Sequence, residues 1–282
     1  MEPRNYPAKV LLYGEHTVLR GGRGLAVPYP PFSLRWTSGA PDPRLQSFAE
    51  WLRARPELAV DAERLLADLE PGRRLAGDIP TGYGLGSSGA VCAAIWDEYR
   101  IPTKGDPPLA DLRTSLAKLE AFFHGSSSGT DPLISYLRQP VVLEAGGAAG
   151  AASLPGSWAD GFFLLDTGRE RSASPLIQRF LATWDRDPAP IVSDWREPAD
   201  AAIAALLSGD REELHRCTAA ISEFQLARFP DFIPEAFHAV WNGGEDYRLK
   251  LCGAGGGGML LGLARDREAT ASQFGDQAIW LA

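Results

Sequence analysis

Three short stretches of this chain are crowded with glycine: residues 14–24, 82–89 and 253–262. Glycine tolerates left-handed backbone and lets other backbone or a ligand come close. Each stretch must therefore bend sharply or approach something closely. Glycine is also abundant overall, at 30 of 282 residues, against an average of roughly 7%. This length suits one large domain or two lobes sharing an interface. At 45% hydrophobic and 23% charged, the chain is neither wholly disordered nor fibrous.

Charge narrows the partners. With 28 Lys+Arg against 36 Asp+Glu, the net charge is -8, and no block of five basic residues occurs, so a nucleic-acid surface is disfavoured. A phosphate ligand would need local attraction from a few cations, helix N-termini and a metal ion. No apolar run of about 18 residues appears, so no transmembrane helix is expected. The start, Met1 to Pro7, lacks the apolar core of a secretory signal. Cys92, Cys217 and Cys252 are far apart and fit neither a zinc site nor a disulfide framework. The expectation is a cytoplasmic protein without membrane or nucleic-acid partners.

Along the chain, 9–13 reads as a short strand ending at Gly14. Residues 25–37, broken by Pro28, Pro30 and Pro31, read as an irregular or edge strand. Helical spacing covers 44–70, and a helix at 88–99 is entered from a glycine loop. Leu109, Leu112, Leu116, Leu119 and Phe123 mark an amphipathic helix over 109–123. Strands are expected at 139–144 and 161–166, with a small-residue hairpin loop or linker at 145–156. Helices follow near 174–184, 197–208, 211–227 and 232–241, then a strand–loop–strand around Leu249–Leu263. Strands cluster at both ends of helical runs, which favours an α+β fold.

In the second glycine window, Pro80-Thr-Gly-Tyr-Gly-Leu-Gly-Ser-Ser-Gly-Ala90, alternate glycines let N–H groups converge at a helix start. That makes an anion site. Ser87 and Ser88 can cap the helix or offer a hydroxyl to a metal or phosphate. It lacks the Gly-Lys-[Ser/Thr] ending of a Walker A loop, and a flexible loop before a capped helix fits it as well. In the first window, Glu15 and His16 follow a strand end, where polar side chains can enter a cleft. On their own, Lys9 reads as a snorkelling strand residue and His16 as a structural histidine. The third window, Cys252-Gly-Ala-Gly-Gly-Gly-Gly258, is either a tight turn against another loop or a cover over a nucleotide. Asp131-Pro132 alone reads as an N-cap and N1 proline. Glu120 sits about 40° from Leu116, at the edge of the apolar stripe, where a solvated flank is its plain interpretation.

Together these segments resemble the three motifs of the GHMP kinase superfamily (galactokinase, homoserine kinase, mevalonate kinase, phosphomevalonate kinase). The motifs are Lys-Val-Leu-Leu-Tyr-Gly-Glu-His, Pro-x3-Gly-Leu-Gly-Ser-Ser and Cys-Gly-Ala-Gly-Gly-Gly-Gly, in that order along nearly the whole chain. Residues 163–177 are similar to the family's Asn/Asp-Thr-x3-Arg segment. Gly-Glu-His, His124-Gly-x-x-Ser-Gly-x-Asp131 and the spacing from Glu120 to Asp131 look most like the mevalonate kinases. Tyr6-Pro-Ala-Lys9 departs from the usual Ala-Pro-Gly-Lys, and Gly89 stands where alanine is usual.

The resemblance implies a two-lobed α+β GHMP kinase fold. The N-terminal lobe, 1–155, would resemble ribosomal protein S5 domain 2, and the C-terminal lobe, 156–282, would be ferredoxin-like. It implies transfer of the ATP γ-phosphate to an alcohol, most directly the 5-hydroxyl of (R)-mevalonate, in isoprenoid synthesis. Asp131 would accept the alcohol proton and Lys9 would pair with it and polarise the hydroxyl. Ser88 and Glu120 would hold Mg²⁺ on the phosphates. Gly82, Gly84, Leu85, Gly86, Ser87, Ser88 and Gly89 would wrap the ATP phosphates. Glu15 and His16 would contact the substrate, and Gly253, Ala254, Gly255 and Gly256 would shape the cleft. The protein would be a monomer or homodimer. Alternatives on the same fold are a kinase for phosphomevalonate or a sugar, and a non-catalytic sensor. Phosphomevalonate would call for extra cations, with Arg20, Arg23, Arg169 and Arg171 as candidates. A sensor would be expected to lose Lys9, Glu120 or Asp131, and all three are present.

Overall fold

The computed structural model describes residues 4–102, 105, 107–170 and 173–281. The chain forms two compact units, and it passes between them several times. The first comprises the residues through Lys9, Val27–Pro80 and Leu85–Gln139; the second comprises Val10–Ala26, Thr81–Gly84 and Pro140 onward.

The elements of the first part of the chain are β1 (Asn5–Tyr13), β2 (Gly24–Ser38), α1 (Pro43–Arg53), α2 (Ala62–Leu69), β3 (Arg73–Gly77), α3 (Ser87–Tyr99), α4 (Leu109–His124) and α5 (Thr130–Leu137). Then come β4 (Val141–Leu143) and β5 (Ala149–Ala151), a hairpin in the small-residue stretch. One sheet has the order β1-β2-β4-β5, with β3 also on β2. The residue 25–37 stretch lies in one continuous strand with neighbours on both sides, although β3 and β4 cover only its two ends. Gly24–Ala26 pairs with β4 and Leu34–Ser38 pairs with β3, so Pro28, Pro30 and Pro31 lie where neither of these two strands is paired with β2. They thus interrupt neither of these two ladders.

Two kinds of helix start occur. Asp42 accepts from the backbone N–H of Arg44 and Leu45 at α1, and Asp61 accepts from that of Arg64 at α2, ordinary side-chain caps. Helices α3 and α5 instead begin after Gly86 and Gly129, both left-handed, with no side-chain cap. So Ser87 and Ser88 do not cap α3, and Asp131 lies inside the first turn of α5 instead of at its N-cap. Helices α3, α4 and α5 pack on one another through Ala93, Leu116, Leu119, Leu133 and Ile134, all fully buried.

The second unit continues with β6 (Phe162–Asp166), α6 (Ala173–Arg186), α7 (Pro188–Ile191) running through a π-helical turn into α8 (Glu197–Ser208), and α9 (Arg211–Arg228). It ends with β7 (Asn242–Gly243), β8 (Tyr247–Leu251), β9 (Met259–Ala264), α10 (Arg267–Phe274) and β10 (Ala278–Trp280). The sheet order is β10-β6-β9-β8-β7, antiparallel throughout. Strands β6, β8, β9 and β10 with the intervening helices give the βαββαβ order expected of a ferredoxin-like lobe. The helix expected at 232–241 is absent. Two 3₁₀ turns, Pro230–Phe232 and Glu235–Phe237, replace it; between them Ile233 is extended at φ -106° and ψ 124°, the backbone that a following proline favours. Among the described residues no helix is long and apolar enough to cross a membrane.

Candidate active site

In the first unit, Lys9 and Asp131 meet. Lys9 lies on β1, 6% exposed, and its Nζ stands 3.1 Å from Asp131 Oδ1. The Lys9 backbone N–H donates to Leu85 O at 2.9 Å, tying the glycine loop to β1. Gly86 turns with φ +75°; a Cβ there would come within 3.0 Å of the Lys9 side chain and 3.4 Å of Asp131 Oδ2. The loop backbone is thus laid directly against the Lys–Asp pair. Gly89 lies in the first turn of α3, where a Cβ would be 2.7 Å from the backbone of Asp131 and Pro132. The absence of a side chain at 89 lets α3 approach α5 where Asp131 projects. Gly82, Gly84 and Gly86 all have positive φ. With the uncapped start of α3, such alternation favours a concave set of N–H groups suited to an anion.

Beside this pair is a second polar cluster. Glu120 is only 4% exposed, so it is not a solvated flank. Ser88 Oγ donates to Glu120 Oε1 at 2.9 Å, and Ser127 Oγ donates to Oε2 at 2.5 Å. The exposed His124 Nε2 lies 3.0 Å from Ser88 Oγ. Burial, and then the Asp131 charge, push the Glu120 carboxyl up to about 7 against the restraint of both serine hydroxyls and Lys9. Two carboxylates therefore share one nearby cation, Lys9, and a further cation would relieve their repulsion. The available donors are hydroxyl and carboxylate oxygens. Among the described residues no group of three His, Cys, Asp or Glu side chains could cage a metal. A site with few protein oxygens suits Mg²⁺, which keeps waters and phosphate oxygens in its shell.

The second unit holds the other glycine-rich elements. The window at 252–258 is the loop of the β8–β9 hairpin. Gly258 lies against Tyr83, where a Cβ would be 2.5 Å from the Tyr83 carbonyl oxygen. Gly257 approaches Arg169, and the Gly258 N–H donates to Arg169 O at 2.7 Å. Thr167 Oγ1 donates to Gly258 O at 2.7 Å. Residues 81–84, 166–170 and 257–259 therefore pack as one group. In the 163–177 segment, residues 171 and 172 lie outside the described residues, and with them the candidate Arg171. Arg20 and Arg23 are matched by Asp185 and Glu144.

Glu15 and His16 are also in the second unit, at 1% and 5% exposure. They are not beside open space in that unit. Lys250 Nζ donates to Glu15 Oε2 at 2.8 Å, and Gln225 Nε2 donates to Oε1 at 2.7 Å. His16 has φ 61° and ψ -47°, and the Thr17 N–H donates across it to Glu15 O at 2.7 Å. That is a γ-turn with positive φ, a strained geometry for a residue with a side chain. The imidazole Nε2–H donates to Ala254 O at 3.0 Å, and the ring packs among Phe180, Phe232 and Trp195. Sequence reasoning missed Lys250, Gln225 and Ser127, and gave His124 no role beyond opening its motif. Ser127 lies inside the His124–Asp131 motif at an unspecified position, but Lys250 and Gln225 carry no local pattern; only the fold brings them to Glu15.

Residues 58–139 match the family described as GHMP kinases N terminal domain. Over 281 residues the chain is 26% identical to a mevalonate kinase of Archaeoglobus fulgidus, covering 94% of this chain and 93% of that protein. Two solved structures share the fold. A Leishmania major mevalonate kinase in complex with R-mevalonate superposes with a TM-score of 0.65 at 16% identity, over 100% of this chain and 97% of that one. A Streptococcus pneumoniae phosphomevalonate kinase in complex with phosphomevalonate and AMPPNP superposes with a TM-score of 0.70 at 16% identity, over 100% and 99%. The chain thus resembles the GHMP kinases in sequence and fold, and the mevalonate kinases among them.

Proposed function

We propose that this chain is an ATP-dependent kinase that phosphorylates the 5-hydroxyl of (R)-mevalonate. The observation that carries the proposal is the Lys9–Asp131 pair, 3.1 Å apart, beneath Gly86 and next to the buried Ser88–Glu120 cluster. Phosphoryl transfer asks a protein for alignment and charge neutralisation more than for covalent chemistry. Asp131 takes the proton of the acceptor hydroxyl as its oxygen bonds to the γ-phosphorus. The bond from that phosphorus to the β–γ bridging oxygen breaks, and ADP leaves. Lys9 orients the Asp131 carboxylate and polarises the hydroxyl. The N–H groups of residues 82–89 receive phosphate oxygens. Ser88 and Glu120 would hold Mg²⁺, which when bound neutralises charge on the phosphates.

Mevalonate is favoured over phosphomevalonate for two reasons. The relative that aligns over most of the chain is a mevalonate kinase. In addition, two of the cations a second phosphate would need, Arg20 and Arg23, are already paired with carboxylates. The direct test of the reaction centre is Asp131→Asn. Turnover is expected to fall by roughly 10²–10⁴-fold, the usual worth of a general base, while ADP binding by calorimetry stays within about threefold of wild type. Turnover near wild type would remove Asp131 from the role of base.

A further inference from the structure

The buried group around Glu15 points away from substrate contact. Both Glu15 carboxylate oxygens are engaged, one by Lys250 Nζ and one by Gln225 Nε2. Lys250 is itself only 1% exposed. Its Nζ also donates to the Leu251 carbonyl at 2.7 Å and stands 5.3 Å from the Tyr13 ring centroid. The other end of Gln225 accepts the Leu251 N–H at 2.9 Å. Both backbone groups of Leu251 are thus taken by side chains that also hold Glu15. Three residues on, Ala254 O receives the His16 Nε2–H. Leu251 and Ala254 bracket the entry to the third glycine window. Tyr13 OH and Thr218 Oγ1, 2.6 Å apart, add a further tie from β1 to α9.

A buried ion pair is weak as a device for stability, because desolvation offsets the attraction. What it does supply here is a fixed geometry, spanning a strained turn, one helix and one strand. We infer that Lys250 and Gln225 are positioning residues: with Glu15 and His16 they form a buried lock on Leu251–Ala254, which holds the glycine window at 253–258 in place, and Glu15 acts through this lock without touching the acceptor. The window in turn lies against Tyr83 of the phosphate loop. The lock therefore serves nucleotide affinity, and this link rests on the phosphate-loop role proposed above.

The experiment pairs hydrogen exchange with nucleotide binding on the full chain, using Lys250→Met and Gln225→Met. Gln225→Met removes hydrogen bonds without stranding a new charge of its own, so it carries the test if Lys250→Met fails to fold. In both variants, exchange of the 252–258 amides is expected to quicken at least about tenfold, with 88–99 unchanged. Unchanged exchange at 252–258 overturns the lock, whatever reaction the protein catalyses. In parallel, the variants are expected to raise the Kd for Mg-ADP and the KM for ATP at least about fivefold, with the acceptor KM within about twofold. A rise in acceptor KM with nucleotide affinity intact returns Glu15 to the substrate. Faster exchange with both affinities unchanged overturns the nucleotide link alone.

Discussion

At the scale of single residues, the informative group is Glu120. Its carboxyl is pushed from the ordinary value of 4.5 up to about 7, by burial first and then by Asp131. Below about pH 4.5 it is neutral whether the chain is folded or not, and the folded state carries no penalty. As pH rises through about 7, the folded state must hold a buried charge that the unfolded chain gives to water, so this group's contribution to stability is lost. Glu120→Gln is therefore expected to melt with the wild type near pH 4.5 and to exceed it by about 2–8 °C at pH 8 without divalent metal. Equal melting temperatures at both pH values would mean that Glu120 is not held in this environment. The residue also marks how far sequence can see. Its place at the edge of a helical stripe fits a solvated flank as well as a buried ligand. The choice is made by Ser88 and Ser127, which reach it from α3 and from the turn before α5.

At the scale of elements, the approach of α3 to α5 sets the geometry around Asp131. Gly89 lies in the first turn of α3, and a methyl there would meet the Asp131 and Pro132 backbone at 2.7 Å. Helix α5 would have to move. Gly89→Ala is expected to cost about 1–3 kcal/mol of stability, read by urea unfolding, and to lower turnover with it. An unchanged midpoint would show that the two helices have slack. Helix α4 was legible because its leucines recur at helical spacing. Local signals misled where tertiary pairing decided the outcome. The prolines of β2 suggested an edge; β2 lies inside the sheet, and the prolines fall where neither β3 nor β4 pairs with it. Ile233, extended ahead of Pro234, interrupts the helix expected at 232–241. Strands β3 and β10 went unseen because Arg73–Gly77 alternates weakly and Ala278–Trp280 is short.

At the scale of the whole molecule, the path of the chain matters more than a single boundary. Residues 10–26 belong with the second unit, where Tyr13, Glu15 and His16 are buried. A fragment of residues 156–282 would lack them and leave Lys250 without its carboxylate. It is expected to show no cooperative thermal unfolding, by circular dichroism, where the full chain does; a sharp transition in the fragment would make residues 156–282 a self-sufficient lobe. The order of the three glycine windows spans almost the entire chain, which is why the fold could be inferred from resemblance when its separate strands could not. Motifs named Lys9, Ser88 and Asp131, which the fold gathers around one cluster, but the same kind of motif did not tell that Glu15 is held by Lys250 and Gln225. The site was illegible where partners came from helices and strands without a motif, as for Gln225 and Lys250.

The central claim is transfer of a phosphoryl group to one particular alcohol. Purified protein with Mg-ATP and (R)-mevalonate, followed by ³¹P NMR, tests it most directly. The account predicts a new phosphomonoester signal coupled to the C5 methylene protons, appearing in step with ADP. Consumption of ATP to inorganic phosphate alone, or an ester formed only with phosphomevalonate or a sugar in place of mevalonate, would contradict it.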